Sequence, residues 1–157
     1  MSMVEMAVDA VGRTEDGNLV AVLRERAGDR SLGIGIGEHS AMMIQAHIAQ
    51  VGFPRPHTYT LLLRVVDGLG GRVVRTTLDR TGGHPAEAYL ELEGPIGVLE
   101  LRCSPEDAVV VASQAEVSVL VSEGILSEDD DAEAQNMEEA GADPEDPEED
   151  PDSGQPA

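Results

Sequence analysis

The sequence predicts an α+β domain: a mixed or antiparallel sheet, an inserted helical hairpin, a short third helix and a disordered acidic C-terminal tail. Three observations carry that expectation. Short β-patterned runs joined by Asp/Gly turns fill the first third of the chain and return after the middle. Between them the apolar residues switch to helical spacing. From Ser127 to Ala157 there are fourteen acids, no base and almost no large apolar side chain, so that stretch has nothing with which to bury a core. The chain therefore divides into a body, residues 1–126, and a tail, residues 127–157.

Met3 to Val11 alternates in part and reads as a first strand, followed by the turn Glu15-Asp16-Gly17-Asn18. Leu19 to Arg26 is a second strand, Ala27-Gly28-Asp29-Arg30 a turn, and Ser31 to Ile36 a third, short strand. Gly33-Ile34-Gly35-Ile36-Gly37 lacks the spacing of a dinucleotide-binding loop and reads as small residues easing packing at a strand end.

Ala41, Ile44, Ile48 and Val51 fall at helical spacing, so a helix is expected from about Glu38 to Gln50, ending at Gly52. A second is expected from Thr58 to Leu69, with Leu62, Val65, Val66 and Leu69 facing inward and Gly70-Gly71 stopping it. The connector is Phe53-Pro54-Arg55-Pro56-His57. Each proline fixes its own φ and disfavours helix at the residue before it. Phe53 and Arg55 are thus extended, the guanidinium sits on a stiff segment, and Thr58 is placed to cap the helix that follows. Taken alone, this is a rigid connector first and an anion-presenting arginine second.

Arg72 to Asp79 and Pro85 to Glu93 read as strands about the turn Arg80-Thr81-Gly82-Gly83-His84, and Ile96 to Arg102 follows Gly94-Pro95. Ser104-Pro105-Glu106-Asp107 has the marks of a helix start: a capping serine, proline at the first helical position and acids in the first turn. Ala108 to Ser113 forms that helix and Val117 to Val121 a last strand.

The net charge of the 157 residues is −21. Outside the tail, seventeen acids stand against ten bases, a net −7. All ten bases are arginine, which excludes a Walker lysine, a Schiff base and a catalytic amine. Cys103 is the single cysteine, so an intrachain disulfide and a thiolate metal cluster are excluded. No apolar run reaches the ~18 residues of a bilayer span, and the first residues lack a basic leader. The expectation is a cytoplasmic protein with no membrane contact. The aromatic residues are Phe53, Tyr59 and Tyr89, so the core must be aliphatic and base stacking on aromatic platforms is not expected. His39, His47, His57 and His84 show no paired-ligand spacing, and no cofactor is evident. Arg72, Arg75 and Arg80, with Arg24, Arg26 and Arg30, form a candidate basic patch for nucleic acid, opposed by the acidic balance of the chain.

Several of these positions in combination resemble a known family. They are Ile36-Gly37, Ser40-Ala41 and Ile44, then Pro54-Arg55-Pro56, Thr58 and Leu61-Leu62, then Leu69-Gly70 and Val73, then Pro105 and Asp107-Ala108. Their order and spacing over roughly Met3 to Leu126 resemble the bifunctional nuclease (BFN) domain family, also called domain of unknown function 151. The resemblance implies an α+β fold, often assembled as a dimer, and in some members cleavage of DNA and RNA. The departures fall on polar positions. Where the family reads Ile-Gly-x-x-Glu-Ala, the Glu is Ser40. Where it reads Pro-Arg-Pro-x-Thr-His-Asp, the last two are Tyr59 and Thr60. Where it reads Asp-x-Arg-Pro-Ser-Asp-Ala, the first Asp is Arg102, the Arg is Ser104 and the Ser is Glu106.

What the resemblance leaves as candidate catalytic residues is Arg55, Thr58 and Asp107. Arg55 would contact phosphate, Asp107 would hold a divalent metal or a water, and Thr58 would cap and orient. Phosphodiester hydrolysis needs a base or metal-bound hydroxide and a cation for the developing charge. Two function classes follow: a hydrolase of nucleic-acid phosphodiesters, or a non-catalytic homo-oligomeric binding or regulatory module that keeps the framework with a depleted polar site.

Overall fold

Alternation along the first strand decides its two faces: Val4 and Met6 are buried, and Glu5 between them is exposed. The same rule holds elsewhere in the sheet, where Thr76 and Leu78 point inward and Arg75 outward. The computed structural model describes residues 2–80 and 86–126. Its elements are β1 (Met3–Arg13), β2 (Leu19–Glu25), β3 (Ser31–Gly35), α1 (Glu38–Ile48), α2 (Thr58–Gly68), β4 (Arg72–Asp79), β5 (Glu87–Gly94), β6 (Gly97–Cys103), α3 (Pro105–Ala115) and β7 (Val119–Ser122). The tail expected to be disordered, 127–157, and most of the turn Arg80–His84 lie outside the described residues.

The seven strands form one sheet in the order β3-β2-β1-β7-β4-β5-β6. Two antiparallel meanders, β1-β2-β3 and β4-β5-β6, are joined by β7, which runs antiparallel to β1 and parallel to β4. A parallel pair needs a long crossover, and here β5, β6 and α3 supply it. The sheet is therefore mixed, with edges at β3 and β6.

The third helix carries Val109-Val110-Val111 between alanines, apolar all round, and such a helix belongs in an interior. It is buried from Ala108 to Ser113, lying on β1, β4 and β5 with α1 and α2 on its other sides. Around it Met6, Leu23, Leu32, Ile44, Leu78, Val121 and Leu126 are fully buried, an aliphatic core as the shortage of aromatics demands. Burying each such side chain stabilises the fold by about 1.5–3 kcal/mol.

Two local expectations change. α1 ends in a left-handed residue at Gln50, φ 56°, with Val51 N donating to Ala46 O at 2.8 Å and Gln50 N to His47 O at 3.1 Å. This paired closure sits two residues before Gly52, so glycine is not what stops the helix. α2 does end at glycine, Gly70 taking φ 79°. The inward face expected for α2 is not buried: Leu62 is 42%, Val65 50% and Leu69 76% exposed. The helix meets the core through Tyr59 and Leu63 instead. Helical spacing identifies an apolar face, but what covers that face is decided by the placement of neighbouring elements.

Candidate functional site

The start of α3 is built as its sequence predicts. Ser104 is the N-cap, its Oγ accepting from the Asp107 backbone N–H at 3.0 Å, and Pro105 follows at the first helical position. That turn aims the Glu106 and Asp107 side chains at the starts of α1 and α2. Glu106 Oε1 accepts from the buried Ser40 hydroxyl at 2.6 Å and from the Gly37 backbone N–H at 2.8 Å. The carboxylate thus serves as the N-terminal acceptor for α1, whose own N-cap is a glycine with no side chain to offer. Gly37 has a second use, since a Cβ there would stand 3.4 Å from Glu106 Oε1.

Asp107 Oδ1 accepts from the Tyr59 hydroxyl at 2.8 Å. Burial, and then donation to the Asp107 carboxylate, raise the Tyr59 pKa above its ordinary value. The Cys103 thiol, half-buried beside this turn, is pushed up to about 11 by burial and by the Asp107 charge. It is a thiol rather than a thiolate at neutral pH.

A row of rings leads away from Tyr59. His39 stacks on it with centroids 6.4 Å apart and planes 24° apart, His57 is 6.0 Å from His39, and Phe53 meets His57 edge-on at 4.1 Å. At the far end of the row is a cleft of about 400 Å³ between the last turn of α1, the Pro-Arg-Pro connector and α2. Arg55 lines it, with His57, Thr60 and Arg64.

The three candidate catalytic residues therefore stand at different places. Asp107 is on the first turn of α3, bonded to Tyr59. Arg55 is exposed on the connector and lines the cleft, of which Asp107 is not a wall. Thr58 is exposed and is the first residue of α2 rather than its cap: the N-cap is His57, and no side chain caps that helix.

Five of the six arginines of the candidate basic patch are paired with acids. Arg24 pairs with Asp9, Arg26 with Glu5, Arg30 with Glu25 and Glu123, Arg72 with Glu93 and Arg75 with Glu91. The last two pairs lie directly opposite in the β4–β5 register, where opposite charges attract across strands. Single-sequence reading sees the arginines on a strand but not the acids on the strand beside it.

Ser40 and Glu106 were legible only as departures. The resemblance marked both as departures, and the two side chains are bonded to one another, so a carboxylate on α3 faces Ser40 on α1. A distance of 66 residues along the chain hides that bond from any local pattern.

The model of the bifunctional nuclease domain matches residues 21–134. That is more than half of the 157 residues, and the chain belongs to this family. Two curated relatives, uncharacterized proteins from Mycobacterium tuberculosis strains CDC 1551 / Oshkosh and H37Rv, are each 30% identical over 111 residues. The match covers 69% of this chain and 65% of either relative, so the chain spans about two-thirds of their length. Among the described residues, no helix is long and apolar enough to cross a membrane.

Proposed function

We propose that this protein hydrolyses phosphodiester bonds in DNA and RNA. The observation that carries the reading is the family match over residues 21–134. The geometry supplies roles consistent with it. Asp107, held by Tyr59 through one carboxylate oxygen, keeps the other for an attacking water and accepts its proton. Arg55, which lines the neighbouring cleft rather than the Asp107–Tyr59 pair, holds another phosphate of the substrate strand. Thr58, between them in sequence at the start of α2, orients the substrate by its exposed hydroxyl.

Among the described residues, no three His, Cys, Asp or Glu side chains group closely enough to hold a metal ion. A divalent cation shared between Asp107 and substrate phosphates would supply charge neutralisation there, and the metal arms of the assay read it out. The direct test incubates the protein with single- and double-stranded DNA and RNA, with and without Mg²⁺ or Mn²⁺, beside the Arg55→Ala/Asp107→Ala double variant. The wild type should cleave, and the variant should be slower by roughly 100-fold or more. No cleavage by either, or equal cleavage by both, refutes the assignment.

A second reading concerns assembly. Leu62 and Val65 on α2, Leu69 at its C-cap, Ile96 before β6, and Val98, Leu99 and Leu101 on β6 are exposed, Ile96 at 96%, and Leu69, Ile96 and Leu99 line one apolar groove. β6 is an edge strand whose outer backbone groups are free to pair. This surface is where a second copy of the chain would pack, in a homo-oligomer. Sedimentation of wild type against Val98→Glu/Leu99→Glu tests it: the variant should run as a monomer and the wild type should not.

A further inference from the structure

We infer that the cleft beside the Pro-Arg-Pro connector is a binding site for a nucleotide phosphomonoester, separate from the Asp107–Tyr59 pair. It rests on the nucleic-acid reading above for the identity of the anion, and on the cleft's own chemistry for the rest.

The first observation is one of sign. In a chain with 31 acids and ten arginines, the cleft is lined by Arg55, Arg64, His47 and His57, and no acid is among its walls. The nearest carboxylate on these groups is Glu116, whose Oε1 lies 3.4 Å from His47 Nε2 outside the cleft lining. Six other arginines, at 24, 26, 30, 72, 75 and 102, are each paired with a carboxylate. Arg55 and Arg64 make no hydrogen bond or ion pair among the described residues. In a body this acidic, two guanidinium forks left without carboxylates at one concavity are free for an anion, and a phosphate matches their geometry.

The second observation is rigidity. Pro54 and Pro56 fix the backbone on both sides of Arg55. His57, Thr60 and Arg64 follow at helical spacing and share one face of α2. On the opposite wall, Gln114 Nε2 donates to Met43 O at 3.1 Å, tying α3 to α1. A site walled by helices and a proline-locked connector loses little entropy when it binds.

The third is size and shape. About 400 Å³ falls within the ~300–1,000 Å³ typical of small-molecule sites and leaves room beside a phosphate for a base and sugar. Phe53, 39% exposed, stands at the cleft with its ring braced edge-on by His57. Its face suits one stacked base, which is worth about 1–3 kcal/mol in single-strand binders. The ligand class is therefore a nucleoside monophosphate or the phosphorylated end of an oligonucleotide.

The test measures binding to the full chain, not cleavage, so a failed nuclease assay does not decide it. AMP has no phosphodiester to cut. Isothermal titration compares AMP, adenosine, inorganic phosphate and a short oligonucleotide with and without a 5′-phosphate. Amide chemical shifts locate the site. AMP should bind roughly tenfold or more tighter than adenosine, with shifts at 51–53, 55, 57 and 60–64. Arg64→Gln should weaken AMP by roughly tenfold. Phe53→Ala should weaken AMP more than inorganic phosphate. Both side chains are exposed, and Arg55→Gln provides a second charge-removing variant should Arg64→Gln fail to fold. Binding of the 5′-phosphorylated oligonucleotide alone supports the site and identifies chain ends as its source. Equal binding of the two oligonucleotides, equal binding of AMP and adenosine, no AMP binding at about 10 mM, or an unaffected Arg64→Gln variant overturns it.

Discussion

The bonded pair Ser40–Glu106 makes a demanding prediction. Ser40 is 4% exposed and its hydroxyl donates to Glu106 Oε1 at 2.6 Å, while Gly37 N–H donates to the same oxygen at 2.8 Å. Ser40→Ala removes one hydrogen bond to a charged acceptor and leaves the other, at a cost of about 1.5 kcal/mol. Glu106→Ala removes both and leaves the Ser40 hydroxyl and the Gly37 N–H without their partner, at a cost of about 3 kcal/mol. If the bond couples the two residues, the double alanine variant should cost about 1–1.5 kcal/mol less than the sum of the singles. Near this domain size each kcal/mol moves Tm by about 4 °C. The informative variant is the reciprocal swap, Ser40→Glu/Glu106→Ser, which places the carboxylate on α1 and the hydroxyl on α3. It should unfold within about 1 kcal/mol of wild type, whereas Glu106→Ser alone leaves two hydroxyls and no carboxylate. Chemical denaturation of the five variants, with m-values compared, measures all of this. Additive singles, or a swap as unstable as the sum of its parts, would refute the coupling of Ser40 to Glu106 through this bond.

Other outcomes follow from the same geometry. Ser104→Ala should cost about 1 kcal/mol in denaturant, since it deletes the α3 cap; Ser104→Asp should recover it. Cys103, with its pKa pushed up to about 11, has roughly one thiolate per thousand at pH 8, so its reaction with a disulfide reagent should be slow and still accelerating beyond pH 10. Asp107→Asn should shift that curve to lower pH by removing one of the two causes; a wild-type plateau by about pH 9 would contradict the assignment. Arg30 donates to Glu25 at 2.9 and 3.1 Å and holds that carboxyl below its ordinary 4.5. A depressed folded pKa gives stability that is present above the unfolded pKa and lost as pH falls through the folded one. The Tm gap between wild type and Glu25→Gln should therefore narrow below about pH 4, and a constant gap would show that Glu25 does not titrate this way.

Much of this protein is local, and what is local was legible. The capping serine, the first-turn proline and the Val-Val-Val run specify α3 by interactions within a few residues. Asp/Gly turns separate the strands, and Gly70 closes α2 because a left-handed residue is needed there. The framework that identifies the family is of this kind, as is the stiffness of the connector around Arg55. Tertiary structure decided whatever depends on partners far apart in sequence. It set β7 parallel beside β4 and neutralised the strand arginines with acids from the next strand. It left the apolar face of α2 uncovered and joined Ser40 to Glu106 across 66 residues. The physical reason is the same in each case. Helical period, turn chemistry and capping act through neighbouring residues, whereas charge pairing, burial and a cleft's electrostatic sign are sums over surfaces that meet only once the chain has folded.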